Sequence, residues 1–204
     1  MRKYIPLLAL FTLLNGSILY SQEAKSLFEK EETALLIIDI QYFYFPGGSV
    51  PLFEPEKASE KASQVLTGFR NKEMLVIHVM HNAKSGAEIY PDVIPLEGEK
   101  VISKSEANSF NGTDLLLFLK ENKIKNLVIV GMQTHMCVEA ATRAGYDLGF
   151  KCMVVEDACT TRDLKYGDNI VPAKEVHYST LSSLSGYYAR ILSTDEILEV
   201  LQDL

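Results

Sequence analysis

Short apolar runs alternate with amphipathic segments along most of this 204-residue chain. The runs are mostly uninterrupted, as in strands that are buried on both faces of a sheet. The segments between them have helical periodicity. Strand followed by helix, repeated five times, is typical of a doubly wound sheet with right-handed crossovers. The sequence therefore predicts an α/β fold: a doubly wound parallel sheet of five to six strands, with helices on both faces in a three-layer sandwich.

Apolar runs and helical periodicity also set the bounds of the expected elements. The expected strands are 33–40, 74–80, 126–130, 151–155 and 189–192. The expected helices are 56–70, 113–122, 134–148, 172–184 and 193–201. The last helix opens with Ser193 and Glu196 in the spacing of a capping box.

The first residues differ in character from the rest. A basic head of Arg2 and Lys3 precedes an apolar run at 5–14 and a polar stretch that ends at Ser21. This is the anatomy of a secretory signal peptide, since a membrane span needs about 20 apolar residues. We expect a signal peptide at 1–21, export to the periplasm or outside the cell, and no membrane contact after cleavage. An uncleaved anchor stays the alternative, because the residues before the cleavage point are not Ala-x-Ala.

Composition limits the remaining chain, 22–204, which we expect to form one domain. The net charge is -7 for the whole chain, and -9 for 22–204, which lacks Arg2 and Lys3. This acidic balance and the lack of a basic stripe argue against a nucleic-acid partner. The three cysteines are an odd number, so at least one is unpaired. A bridge between Cys152 and Cys159 requires the segment between them to double back.

In doubly wound folds the ligand lies at the carboxyl ends of the strands. Asp39 is a lone carboxylate near the end of the first expected strand, where burial raises its pKa and suits it to proton transfer. The plain alternative is a helix cap or a turn residue. Cys137 falls in the first turn of an expected helix, whose dipole lowers a thiol pKa. The alternative is a buried, inert cysteine. Lys104, taken alone, has the pattern of a surface lysine.

Together these residues resemble those of a known family. The fragments 37–41 with 45–48, 101–104 with 108–114, 131–138, and 155–159 are similar, in order and spacing, to the isochorismatase-like cysteine hydrolases, which include nicotinamidases. The resemblance covers about 33–192. It implies a nucleophile at Cys137, an aspartate base at Asp39, and a lysine at Lys104 that stabilises charge and holds the site together.

The resemblance also implies an oxyanion hole. Its donors are the backbone N–H groups of Gln133 and Cys137, and the peptide bond between Met132 and Gln133 is expected to be cis. Two aligned backbone donors stabilise a developing oxyanion by a few kcal/mol.

Nicotinamidases of this family carry a metal site that this sequence departs from. Their Asp-x-His pair has no counterpart in 46–53. His78 and His81 are three residues apart on an extended segment, so they face opposite ways and cannot both bind one ion. We therefore predict no metal and no cofactor, and nicotinamide becomes less favoured as the substrate. His78 is assigned to the core.

Six residues are expected to border the substrate pocket. They are Phe45, His81, Asn108, Phe110, Met132 and His135. A local carbonyl is an equal alternative partner for His135, and His177 is interpreted as a structural histidine. The aromatic run 42–45 walls the pocket or packs at a subunit interface, and we expect a homo-oligomer.

The sequence thus predicts a cysteine hydrolase that cleaves an amide or carbamoyl C–N bond of a small molecule through a thioester. Two alternatives remain. One is an isochorismatase-type ether hydrolase, in which the cysteine position is often not a nucleophile. The other is a non-catalytic binding protein that retains the fold.

Overall fold

The computed structural model describes residues 28–204. The expected signal peptide and its cleavage point lie outside these residues. Eight strands are found in the described range. They are β1 (Thr33–Ile38), β2 (Leu75–His81), β3 (Lys100–Lys104), β4 (Asn126–Met132), β5 (Lys151–Thr160), β6 (Leu164–Tyr166), β7 (Asn169–Val171) and β8 (Ala189–Leu192).

All five expected helices are present, with ends that differ from prediction by a few residues. They are α1 (Pro55–Asn71), α2 (Leu115–Glu121), α3 (Glu139–Asp147), α4 (Ala173–Leu184) and α5 (Thr194–Gln202). The capping box of α5 is confirmed. The Glu196 N–H donates to the Ser193 hydroxyl at 3.3 Å, and the Ser193 N–H donates to the Glu196 carboxylate at 2.7 Å.

Six strands form one parallel sheet in the order β3-β2-β1-β4-β5-β8. Side chains of β1 alternate between two apolar layers. Leu35 and Ile37 pack into the layer that holds residues of α1 and α5, whereas Leu36 and Ile38 pack into the layer of α2, α3 and α4. The predicted doubly wound sheet with helices on both faces is confirmed. The strand order reverses between β1 and β4, and such switch points are where these folds bind ligands.

β3 and the β6–β7 hairpin were not among the expected strands. β3 is an edge strand in which Ile102 and Lys104 are buried while Val101 and Ser103 are exposed, so it forms no continuous apolar run. The hairpin has exposed strands and forms a separate two-stranded sheet. β5 is longer than expected and continues past Val155 to Thr160.

The three cysteines are all in the described range, and all are free and buried. Cys152 and Cys159 lie on the same strand, β5, so the segment between them does not double back. Over residues 28–204, no helix combines the length and the apolar character that crossing a bilayer requires.

Candidate active site

Asp39 directly follows β1, at the switch point of the sheet. Its backbone turns into the left-handed region, with φ of 51°, and its N–H donates to the carbonyl of Val79 at 2.9 Å. A non-glycine residue with positive φ is uncommon and costs conformational energy. The surrounding backbone holds this residue, and its side chain is fully buried.

Gly131 lets β4 pass unusually close to β1. Its φ is +128°, and a Cβ added there would lie 2.0 Å from the carbonyl oxygen of Ile38. The register between β4 and β5 also shifts at this point, between Ile129 and Gly131. Only a residue without a side chain permits this approach, which brings the end of β4 beside Asp39.

Cys137 lies just beyond β4, in a π-helical turn (Thr134–Val138) that leads into α3. The expected helix from 134 to 148 is therefore a π turn followed by a shorter α-helix. The hydroxyl of Thr134 lies 2.8 Å from Nδ1 of His177 on α4, which ties the turn to a neighbouring helix. Cys137 is 4% exposed.

Lys104, at the end of β3, joins these two residues. Its Nζ donates to Oδ2 of Asp39 at 2.7 Å and to Sγ of Cys137 at 3.3 Å, and its side chain is fully buried. The local pattern of a surface lysine is wrong, because the chain reaches inward from the edge strand across the ends of β2 and β1. The structure thus brings together the three residues of the expected triad.

Burial governs the protonation of this trio. Burial and then the negative charge of Asp39 raise the pKa of the Cys137 thiol to about 12, against the opposing effect of Lys104. The expectation of a lowered pKa for this thiol is therefore wrong. The pKa of Asp39 is raised by burial, as expected, and the nearby ammonium of Lys104 opposes that shift. Oδ1 of Asp39 is buried with no hydrogen-bond partner in the described chain, so it remains free to accept a proton.

The peptide bond between Met132 and Gln133 is cis, as the resemblance implied. The side chain of Gln133 is held at both ends. Its Nε2 donates to the hydroxyl of Tyr44 at 3.3 Å, and its Oε1 accepts from Nε of Arg162 at 3.2 Å. Gln133 is 3% exposed.

Comparison with known proteins identifies the family of this chain. Residues 33–196 match the model of the isochorismatase domain. The chain belongs to the isochorismatase family. It is a hydrolase of that family.

Individual relatives cover most of the chain. The uncharacterized isochorismatase family protein YddQ of Bacillus subtilis is 44% identical over 178 residues, which is 82% of this chain and 99% of that protein. Streptothricin hydrolase of Streptomyces noursei is 29% identical over 153 residues, which is 69% of this chain and 55% of that protein. The crystal structure of an isochorismatase-family protein from Oleispira antarctica superposes with a TM-score of 0.80 at 42% identity, and the match covers 84% of this chain and 98% of that one.

Two histidines of the expected pocket lie beside Lys104 or the turn that holds Cys137. Nδ1 of His81 is 3.4 Å from Nζ of Lys104, and the His81 ring is half-buried. His135 is also half-buried, and its Nδ1 lies 2.5 Å from the hydroxyl of Thr161 rather than on a local carbonyl. Burial lowers the pKa of His135, which favours its neutral form.

Other expected pocket residues lie elsewhere. Phe110 stacks on Phe150, which precedes β5, so it packs toward the amino-terminal ends of the strands and away from Cys137. This prediction is wrong, because the loop after β3 turns back along the sheet before α2 begins. Asn108 stabilises the same loop, because its Oδ1 accepts a hydrogen bond from the Phe110 N–H at 2.9 Å.

Phe45 and Met132 belong to one apolar cluster. The ring of Phe45 stacks on Tyr90 with centroids 3.4 Å apart, and the side chain of Met132 is fully buried. Met132 therefore contributes only backbone to the site, because its side chain is buried in the apolar cluster. The role of Phe45 as a pocket wall stays a prediction.

His78 and His81 face opposite ways, as their spacing predicted. His78 is buried and its Nε2 lies 2.8 Å from Oε2 of Glu99, whereas His81 points to Lys104. In the described chain, no group of three or more His, Cys, Asp or Glu side chains is arranged to hold a metal ion.

Sequence reasoning assigned no role to Gln41 or Arg162, and it placed Tyr44 only within the aromatic run 42–45. The fully buried side chain of Gln41 binds both the N–H and the carbonyl of His81, at 2.7 and 3.0 Å, and so fixes the end of β2. Tyr44 and Arg162 hold Gln133. Gln41 and Tyr44 lie just after the end of β1, and ligands in these folds lie at such strand ends. Only the tertiary structure brings Arg162 close to them.

Proposed function

We propose that this chain hydrolyses an amide or carbamoyl C–N bond of a small molecule through a thioester on Cys137. One observation carries the proposal: a single buried ammonium, that of Lys104, contacts both the carboxylate of Asp39 and the sulfur of Cys137. A buried ion pair contributes little net stability, because desolvation offsets the attraction. Its placement against a thiol is therefore explained by chemistry better than by stability.

In the first half-reaction, Asp39 accepts the thiol proton of Cys137 as the sulfur attacks the carbonyl carbon. The carbonyl oxygen becomes an oxyanion, which accepts hydrogen bonds from the N–H groups of Gln133 and Cys137. The C–N bond then breaks, and the leaving nitrogen takes the proton from Asp39. The products are a thioester and free ammonia or amine.

In the second half-reaction, Asp39 takes a proton from water as the water oxygen adds to the thioester carbon. The C–S bond breaks, the carboxylic or carbamic acid leaves, and the thiol regains its proton. The ammonium of Lys104 stabilises negative charge on either partner throughout.

The pKa directions support this division of roles. Because burial raises the pKa of Cys137 to about 12, the resting group is a thiol that needs a base. The pKa of Asp39 is raised as well, which brings the carboxylate closer to the thiol in proton affinity. Lys104 favours the charged form of both groups.

Small primary amides and N-carbamoyl compounds are the substrates to test, with ammonia release as the readout and Cys137→Ala as the control. The relative that hydrolyses streptothricin supports a small-molecule substrate. We expect ammonia from at least one amide with the wild type and none with Cys137→Ala. Equal ammonia release from both proteins would overturn the thioester route. Cleavage of a vinyl ether without ammonia would instead favour the ether hydrolase.

We also propose that the chain is exported with removal of residues 1–21, and that it assembles with copies of itself. Amino-terminal sequencing of the protein from its native host tests the first point, and an intact Met1 would contradict it. Light scattering on the purified protein tests the second. The mass of a single chain, which is 22.8 kDa for residues 1–204 and lower once 1–21 are removed, would contradict it.

A further inference from the structure

His81 lies between the strands that bring Lys104 and Asp39 together. It ends β2, which stands between β3 and β1 in the sheet, and it is the register partner of Lys104. Because register partners project to the same face of a sheet, the lysine side chain reaches Asp39 past the imidazole. Nδ1 of His81 is 3.4 Å from Nζ of Lys104.

This contact fixes where the imidazole carries its proton. An ammonium has three N–H donors and no acceptor. Two of the donors of Lys104 contact Asp39 and Cys137, at 2.7 and 3.3 Å, and Nδ1 of His81 is in reach of the third. Nδ1 can therefore only accept, so it has no proton. A neutral imidazole of this kind has its proton on Nε2.

Gln41 holds His81 in this orientation from the other side. The buried Oε1 of Gln41 accepts from the His81 N–H at 2.7 Å, and Nε2 of Gln41 donates to the His81 carbonyl at 3.0 Å. The imidazole is thus anchored at its backbone and at Nδ1. Its Nε2–H has no hydrogen-bond partner within residues 28–204, and the ring is half-buried.

An unpaired donor and an unpaired acceptor therefore stand around one ammonium. The donor is the Nε2–H of His81, and the acceptor is Oδ1 of Asp39, which has no partner in the described chain. Each belongs to a side chain whose other polar atom contacts Lys104, which keeps the two close to each other. A water that accepts from His81 and donates to Asp39 still has a lone pair for an electrophilic carbon.

We propose that His81 holds the hydrolytic water of the second half-reaction. The inference rests on the proposed function and adds a residue to it. The Nε2–H donates to the water oxygen, Asp39 takes one proton from that water, and the oxygen bonds to the thioester carbon as the C–S bond breaks. The sulfur of Cys137 then takes the proton from Asp39. The Nε2 proton stays on His81 throughout, and the earlier attack by sulfur does not use it.

p-Nitrophenyl acetate separates the two half-reactions. Its acetyl group passes to the sulfur with release of p-nitrophenolate, and water then removes the acetyl group as acetate. Quench-flow with intact-mass spectrometry measures acetyl gain and acetyl loss on Cys137, with Cys137→Ala as the background.

Two variants of His81 divide the functions of its ring. In His81→Asn the side-chain oxygen still accepts from Lys104, but no donor reaches the position of Nε2. We expect acetyl gain within about twofold of wild type and acetyl loss about tenfold slower, the effect of one lost hydrogen bond. His81→Gln carries an amide nitrogen close to the position of Nε2, so it should lose the acetyl group faster than His81→Asn.

Asn82→Ala is the matched control, because Asn82 is the next residue but is exposed and binds the hydroxyls of Ser103 and Ser105. Both rates should stay unchanged in it. Unchanged acetyl loss in His81→Asn would overturn the proposal. Equal slowing of gain and loss would also overturn it, since His81 would then only support the ammonium. Absence of acetyl on wild-type Cys137 is a different result, which would defeat the thioester route itself.

NMR of the histidine ring nitrogens tests the tautomer without any turnover. At a pH where imidazole is neutral, we expect a proton on Nε2 of His81 and none on Nδ1, with His81→Asn assigning the signals. A proton on Nδ1 would overturn the proposal, whether or not the thioester forms.

Discussion

The ammonium of Lys104 lies 2.7 Å from the carboxylate of Asp39, although the two residues are 65 positions apart in the chain. Neither side chain is exposed to solvent. Removing one member of such a pair leaves a buried charge without compensation, which costs about 3–5 kcal/mol. A variant that removes either Asp39 or Lys104 is therefore expected to lose stability as well as activity.

Replacement of Cys137 is expected to abolish hydrolysis while the fold survives. Cys137→Ala removes one small buried group, so the free energy of unfolding should fall by only about 1 kcal/mol. Ammonia release and urea unfolding measure the two effects. Cys152→Ala, which changes a free buried cysteine on β5, is the matched control and should retain activity. Turnover that persists in Cys137→Ser would exclude a covalent intermediate on sulfur.

Removal of the ammonium is expected to raise the pKa of both acids in the trio. In Lys104→Met the favourable charge beside Cys137 and Asp39 is lost, so the thiol pKa should rise further and the rate at pH 7 should fall. Because the groups titrate together, the pH profile should shift as a whole. Lys104→Arg is expected to rescue poorly, since a planar fork does not replace a compact ammonium.

Iodoacetamide alkylation followed against pH reports the thiol pKa directly. Lys100→Met is a matched control, because Lys100 lies on the same strand but binds Asp114 near the surface. An identical thiol pKa in wild type and Lys104→Met would refute the role of the lysine.

Gly131→Ala is expected to destabilise the protein by about 3 kcal/mol or more, since its Cβ would meet the Ile38 carbonyl. Gly149→Ala is the matched control. It also has positive φ, at +94°, but nothing lies within 4 Å of the added Cβ, so it should cost only about 1–2 kcal/mol. Thermal unfolding compares the two, and equal losses would show that β4 does not need this close approach.

Acid sensitivity is expected from Glu99. Burial alone would raise its pKa, but hydrogen bonds from Arg70, the Leu96 N–H and His78 outweigh burial and lower the pKa to about 2, from a usual value of 4.5. A carboxylate with a lowered pKa stabilises the fold above its unfolded pKa. This contribution is lost as the pH falls from about 4.5 toward 2.

Glu99→Gln should therefore lower the free energy of unfolding by about 1–3 kcal/mol at pH 7, and the difference from wild type should narrow below pH 4.5. Urea unfolding across this range measures the gap. A gap that stays constant down to pH 3 would contradict the assignment.

Chelators are expected to leave the rate unchanged. The Asp-x-His pair is missing from 46–53, and His78 and His81 face opposite ways. Dialysis against EDTA, followed by assay with and without added zinc, checks this. Activity that is lost and then restored by the metal would disprove our interpretation of the histidines.

The sequence by itself determined the parallel α/β architecture, because the five continuous apolar runs are buried by helices on both faces. It also determined the position of Asp39. In doubly wound folds the ligand lies at the carboxyl ends of the strands, so this position depends only on where a strand ends. The position of Cys137 in the first turn of an expected helix made it a candidate nucleophile. Lys104 became a candidate only through the four family-like motifs that occur in order along the chain. For Lys104 the local pattern alone pointed to the surface, since an edge strand such as β3 carries polar residues and has no distinctive periodicity.

Only the tertiary structure decided how these residues act on one another. The pKa of the Cys137 thiol is raised by its burial and by the charge of Asp39, and neither depends on where the residue falls along the sequence of its helix. The path of the loop after β3 decided that Phe110 packs on Phe150 and not beside Cys137. Arg162 reaches Gln133, 29 positions away, because β4 and β5 are adjacent in the sheet. Distances across neighbouring strands are set by register and strand order, which no local pattern of residues contains.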